Sequence, residues 1–338
     1  MNLDVEMEKA KGPFAVLQPD EGQCFALAGQ PITAQIKMVP GDYPHFKFTA
    51  IRYDLQPGAR FELHATLLAP RILQCLEGAG RIELNGEAKP FFEEVFVHLG
   101  EGHHGTVVNE GGGLLSLFVF TFGASPDGRP DLMTRSADGA LTLSIDEGVK
   151  RLYGLLDLDD ALALPAAKRG ELIHQLPDTG ISFWQAVPTA GWVEVKMAPF
   201  TCNVHHYAVL MQTLYEGSRV REHAHNQLNE FLVITKGVAT ASVDGCEDVI
   251  CPKGSVIIAG RNIFHRWANG GTGITQNFGI IDPPGVEGGL AFTGRLREKG
   301  TEWPSDIVRN AETGKLMHER FGFVIHGSAA DARVPTKG

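Results

Sequence analysis

Along most of the chain, apolar residues fall in short runs that stop at a glycine or at a polar residue followed by glycine. ILQCLEG (72–78) and FLVITKG (231–237) end at glycine; RIELNG (81–86) and TASVDG (240–245) end in Asn-Gly and Asp-Gly, strong short-range signals for a tight β-hairpin. VFVHLGEG (95–102) and SVIIAGRN (255–262) repeat the arrangement of an apolar strand followed by a residue able to adopt positive φ. Successive hairpins at this spacing predict an all-β chain built from small antiparallel barrels or jelly rolls. Helical spacing is confined to two places. One is Ile145 to Leu172, interrupted by Pro165 and read as a helical linker or lid whose LDLDDALAL run is its solvated side. The other is PSDIVRNA (304–311) in the tail, opened by Pro304 and Ser305.

The β-rich pattern occurs twice. Gly58, His64, Arg71, Gly78 and Gly86 align with Gly217, His223, Glu230, Gly237 and Gly245, each pair 159 residues apart; Gly100 and Asn109 match Gly260 and Asn269 at 160. A duplicated β-domain follows, with copies near 45–123 and 204–283. The expected domains are 1–140, a linker at 141–190, and 191–338 with the tail. A length of 338 residues suits two ordinary domains, and 40 glycines with 19 prolines suit many turns.

A net charge of −10 without a basic run excludes the electrostatic footprint of nucleic-acid binding or of an anionic membrane surface, so a small-molecule partner is expected. No stretch is apolar enough to span a bilayer and the N-terminus has no signal-like apolar segment, which predicts a soluble cytosolic protein. Cys24, Cys75, Cys202, Cys246 and Cys251 form an odd set without CxxC spacing, read as reduced and mostly buried.

The second copy carries the chemistry. His223 and His225 point to one side of an extended segment, Glu230 opens the following strand, and His265 returns on another. Three imidazoles and a carboxylate suit Fe(II), Mn(II), Ni(II), Cu(II) or Zn(II), not calcium or magnesium, which take all-oxygen shells. Left without a cation, such a cluster on inward positions is a costly set of buried polar groups.

These residues resemble the cupin superfamily. Its first motif, G-x5-H-x-H-x3/4-E-x6-G, is met by Gly217, His223, His225, Glu230 and Gly237. Its second, G-x5-P-x-G-x2-H-x3-N, is met by Gly254, His265 and Asn269, with Gly260 where proline is usual and Asn262 where glycine is usual. Asn is the non-glycine residue best suited to a left-handed turn. The resemblance covers both barrel cores but neither the linker nor the tail, and implies a bicupin.

In the first copy His64 persists, but Thr66, Arg71 and Gly105 stand at the other ligand positions. Arginine repels a divalent cation, so this copy is expected to hold no metal, His103 and His104 being the only imidazoles near the vacant position. Trp267 shares the parity of His265 and is read either as a stacking wall for a planar substrate or as barrel core. Gln212, Gln276 and Phe278 are placed on substrate-lining strands from a guessed register. Arg221 is read as a carboxylate partner or a solvated rim residue, and His45, His205 and His206 as surface residues.

The resemblance implies one divalent transition metal per chain, Fe(II) favoured, with Glu230 as ligand or general base. It implies a dioxygenase acting with O2 on a small aromatic or enolisable substrate, similar to quercetinase-type and gentisate dioxygenase-like members. The IDPPGVE segment (281–287) is similar to the barrel exit of quercetinase-like members. A non-redox Mn, Ni or Zn enzyme and a non-catalytic binding or storage protein are the alternatives, and a homo-oligomer is expected.

Overall fold

The computed structural model describes residues 12–43, 45–64, 70–100, 103–122, 133–135, 141–143, 171–199, 201, 207–309 and 311–325. These form four sheets of eight, four, nine and five strands, antiparallel but for a parallel bridge between Thr142 and Ala26. Two compact units result. One is Asp20–Pro177 with Cys202–Val204; the other joins Met1–Pro19, Asp178–Thr201 and His205–Gly338.

In the N-terminal barrel, Arg60–His64, His104–Val108, Ala79–Leu84 and Glu87–Phe92 make the smaller sheet. Its wall is completed by strands of the nine-stranded sheet, among them Phe48–Leu55, Leu115–Phe122, Arg71–Glu77 and Phe96–Leu99. One continuous apolar cluster, including Phe61, Leu63, Leu73, Ile82, Leu84, Leu99 and Val119, fills the interior. The Asn85-Gly86 turn takes φ of 51° and 90°, the double left-handed conformation that suits the twist of a two-residue hairpin.

In the C-terminal barrel, Arg219–His225, His265–Asn269, Val238–Val243 and Val249–Pro252 form the five-stranded sheet together with Phe323–Ile325 from the tail. Facing it are Val256–Ala259, Asn229–Lys236, Thr275–Asp282, Ala208–Leu214, Gly191–Met197, Ile181–Gln185 and Gly294–Leu296. The eighth strand of that sheet is Phe14–Leu17, paired antiparallel with Val256–Ala259. Here the core is divided: Leu214, Leu232, Ile257 and Trp267 form one cluster and Val193, Leu210, Ile281 and Met317 another.

Several expectations are revised. Residues 14–17 add a strand to the C-terminal barrel, so 1–140 does not form one unit. The expected linker at 141–190 contains barrel strands: Leu172–Gln175 pairs with Phe96–Leu99 in one unit and Ile181–Gln185 with Gly191–Met197 in the other. These strands are four and five residues long, too short to show a period against a linker background. The helix expected over 145–172 lies outside the described residues except at Glu171 and Leu172, where Leu172 opens a strand.

The tail helix begins at Ala311, not at Pro304, and runs to Phe321. Glu312 in its first turn and His318 and Arg320 in its last complement the helix dipole, and Gly322 ends it at φ 62°. Thr313, Met317 and Phe321 share one face of this helix at i, i+4 spacing, with Met317 buried in the core. Cys75 and Cys251 are buried as expected, but Cys24 and Cys246 are exposed; all four are free thiols. His45 is exposed, and His205, His206 and Cys202 lie outside the described residues. Among the described residues no helix is long and apolar enough to cross a membrane.

Candidate metal centre

A break in regular pairing brings the site together. In the first barrel, Arg60–His64 runs against His104–Val108 in unbroken register, which sets Leu63 opposite Gly105. In the second, Arg219 pairs with Ala268 and Val220 with Trp267, but the register then shifts and His223 pairs with His265. Arg221 and Glu222 together face one residue of the partner strand, the two-against-one arrangement of a β-bulge, a device that re-aims side chains beside functional sites.

The shift seats His223, His225, Glu230 and His265 with their ligand atoms all within 4.8 Å of one another, each residue buried. His223 and His225 ring centroids are 4.9 Å apart, and those of His223 and His265 are 4.3 Å apart. His223 Nδ1 donates to the Arg221 carbonyl of the bulge at 2.8 Å, and His265 Nδ1 to the Ile263 carbonyl at 2.9 Å. Carbonyls only accept, so these bonds fix the tautomer and leave both Nε2 atoms directed inward. Glu230 Oε2 lies 2.9 Å from His265 Nε2, and Oε1 lies 3.2 Å from His225 Nε2.

Electrostatics follow from burial and neighbours. Burial, with the adjacent His265 and His225, holds the His223 imidazole well below its ordinary range, so it is neutral. For Glu230, burial alone would raise the carboxyl, but the imidazoles of His225 and His265 overcome it and hold it well below the usual carboxylate range. His265 is raised against its own burial by Glu230. A neutral imidazole, a carboxylate and inward Nε2 atoms make a donor set for a borderline divalent transition metal. The fit is supported by orphaned atoms, since both ring nitrogens of His225, including the Nε2 that faces Glu230, are buried without a hydrogen-bond partner, a state that native interiors avoid unless a ligand or ion is missing.

A cavity of about 140 Å³ opens beside the cluster. Trp267 lines it and also belongs to the barrel core. Gln212 also lines it. Gln276 and Phe278 do not: Gln276 is buried against Thr213 and Thr235, and Phe278 is fully buried. Asn277, Gly279 and Ile281 of the same strand face the cavity instead, the one-residue slip that exchanges the two faces of a strand. Arg221 also lines the cavity.

Some of the surrounding groups carry no signal in the motifs. Phe323 stacks on His223 at 4.5 Å and 18° and meets His225 edge-on at 5.1 Å. Its strand pairs His223 with Ile325 and His225 with Phe323, so the tail closes the site. Thr189, Asn277 and Arg309 line the same cavity.

In the first barrel the ligand positions are occupied differently. A side chain at Gly105 would meet Leu99, Leu84 and Ile82 at 3.3–3.5 Å, and Arg71 is buried where the second barrel has Glu230. His103 Nδ1 is bonded to Asn85, and His104 is exposed. Among the described residues the only cluster able to hold a metal ion is that of the second barrel.

By sequence the chain matches no family model and no curated relative. By structure it is similar to the protein Ylba from E. coli, with a TM-score of 0.57 and 12% identity over 83% of this chain and 97% of that one. Procruciferin, an 11S globulin from Brassica napus, gives a TM-score of 0.54 at 12% identity over 81% and 85% of the two chains. An oxalate decarboxylase gives 0.50 at 14% identity over 81% and 78%. The chain has the double-barrel cupin fold. An enzyme and a globulin both carry this fold, so it does not choose between catalysis and binding.

Both departures from the cupin motif have a structural cause. Asn262 adopts φ 61°, the left-handed turn usually given to glycine. Gly260 donates its N–H to the Pro13 carbonyl at 2.9 Å, and a Cβ there would lie 2.7 Å from that oxygen and 2.9 Å from Gly12 Cα. A proline at this position would remove the donor and collide with the N-terminal strand.

Proposed function

We propose that the C-terminal barrel is a mononuclear transition-metal centre, iron-dependent in the cell, that oxidises a small aromatic or enolisable substrate with O2. The observation that carries this reading is the buried convergence of His223, His225, Glu230 and His265 within 4.8 Å, beside a cavity large enough for a small molecule.

His223, His225 and His265 would hold the ion through inward imidazole nitrogens, with Glu230 as the fourth ligand. Bound Fe(II) supplies redox chemistry toward O2, whereas Mn, Ni, Cu or Zn on the same donors supplies polarising chemistry for isomerisation, decarboxylation or hydrolysis. Among the described residues Glu230 is the only carboxylate lining the cavity; released from the ion, it takes the proton of a substrate hydroxyl, leaving an enolate or phenolate oxygen. Trp267, Leu232 and Ile281 bound the substrate with apolar surface, and Phe323 over His223 excludes water from the ligand side.

Metal analysis of freshly purified protein, followed by oxygen uptake with catechols, flavonols and β-diketones, tests this. Stoichiometric iron with oxygen consumption is the expected result. Zinc or manganese with turnover under anaerobic conditions overturns the oxygenase reading in favour of a non-redox enzyme, and absence of any bound metal overturns both.

A further inference from the structure

The cavity beside the cluster is electrostatically lopsided. Among the described residues its charged lining side chains other than imidazoles are two guanidiniums, Arg221 and Arg309, and one carboxylate, Glu230. Glu230 is engaged by His225 and His265. Among the described residues neither arginine has an acidic partner: Arg309 Nη2 donates to Gln185 Oε1 at 3.3 Å, and the Nε atoms of both arginines are buried with no hydrogen-bond partner. Thr189 Oγ1 and Asn277 Nδ2, which line the same cavity, are also buried and unpartnered.

These groups share a chemistry. Guanidinium and amide nitrogens only donate, so the ligand that satisfies them must be rich in acceptors. Two cations facing one space without a counter-ion are costly to bury. Burial first, and then the charge of Arg221, depresses Arg309 to about 10, which still leaves it charged at neutral pH. A divalent ion on the neighbouring ligands would add further positive charge. Arg309 is also held in place: Ile307 packs with Trp184 and Ala186, and Trp303 Nε1 donates to the Gln185 carbonyl at 2.9 Å.

We infer that the substrate of this barrel is a carboxylate, its acid group held by Arg221 and Arg309 with Thr189 and Asn277, and its reacting end turned toward His223, His225 and Glu230. Planar, bidentate recognition is what a guanidinium gives a carboxylate. The inference rests on reading this cavity as the substrate site, but not on the identity of the metal or on oxygen chemistry.

Calorimetric titration of the full chain, both metal-loaded and EDTA-treated, uses salicylate and malonate against the neutral salicylamide and malonamide, with inorganic phosphate as a further arm. At least one carboxylate is expected to bind at least about tenfold more tightly than its amide, the loss anticipated when buried charged donors face a neutral partner. The preference should persist without metal, because the arginines supply it. Arg221→Met and Arg309→Met should each reduce it by about tenfold; Arg309→Lys, which keeps the charge, should lose less. Circular dichroism establishes that each variant is folded, and the wild-type acid-to-amide comparison stands without any variant. Binding by neither carboxylate, equal binding of acid and amide, binding of phosphate alone, a preference seen only in metal-loaded protein, or a preference that survives both methionine variants overturns the inference. Protein that takes up no metal yet prefers the acids would overturn the metal reading and leave this one standing.

Discussion

His223 lies directly across the sheet from His265 only because Arg221 and Glu222 together face one residue of the partner strand. The same carbonyl that marks the bulge, that of Arg221, accepts the His223 Nδ1 proton and turns Nε2 inward. Pairing and orientation of the ligand therefore have one local cause, and the first barrel, which lacks the bulge, sets Leu63 against Gly105.

Replacing His223 with alanine is expected to lower metal affinity by more than about 100-fold, since losing even an outer-shell partner costs about 10–100-fold. His64→Ala should leave the metal content unchanged. Elemental analysis of both variants decides this: equal metal in wild type and His223→Ala refutes the ligand assignment, and a halved content in His64→Ala reveals a site in the first barrel.

Phe323→Ala removes the ring stacked 4.5 Å from His223. The ligands remain, but water gains access, so metal release to a chelator should accelerate by about tenfold. Stopped-flow chelation against wild type measures it, and identical release rates would show that the tail does not protect the site.

Gly260→Ala places a Cβ 2.7 Å from the Pro13 carbonyl oxygen and is expected to destabilise the protein by about 1–3 kcal/mol through overpacking. In a chain lacking residues 1–17 the same substitution should be nearly neutral. A double-mutant cycle by denaturant unfolding gives the coupling; an equal penalty in both backgrounds would place the strain elsewhere.

Acid should weaken the N-terminal barrel through His98. Burial, partly opposed by the bond to the Glu171 carbonyl, lowers its pKa from an ordinary 6.5 to about 4. Between these values the unfolded chain binds the proton and the folded barrel does not. Stability is therefore full above pH 6.5 and falls by about 3 kcal/mol as the pH drops to 4. Comparing wild type with His98→Gln by urea unfolding across this window should show a shallower slope in the variant; matching slopes would exclude His98 as the source.

Much of the fold was legible because its signals are local. Asn85-Gly86 and Asp244-Gly245 each need only their own backbone to specify a turn, and His223, His225 and Glu230 lie within eight residues of one another. The bulge was not legible, since Gly58 to His64 and Gly217 to His223 have identical spacing and the extra residue is absorbed by pairing rather than by length. The facing of Gln276 and Phe278 is not legible for a related reason: alternation tells which residues share a face but not which face turns inward. Arg309 and Phe323 reach the site from a tail that carries no motif, and only tertiary packing brings them there.

Residues 14–17 lie at one end of the chain and the strand they complete, Val256–Ala259, more than two hundred residues away. On a ribosome these four residues emerge before the first barrel and cannot make this pairing until Val256–Ala259 has been made. The ligand-bearing barrel thus closes on an edge strand made before the other barrel. Contacts of such long sequence separation slow folding, so metal uptake by newly made chains should track closure of this barrel rather than synthesis of the four ligands.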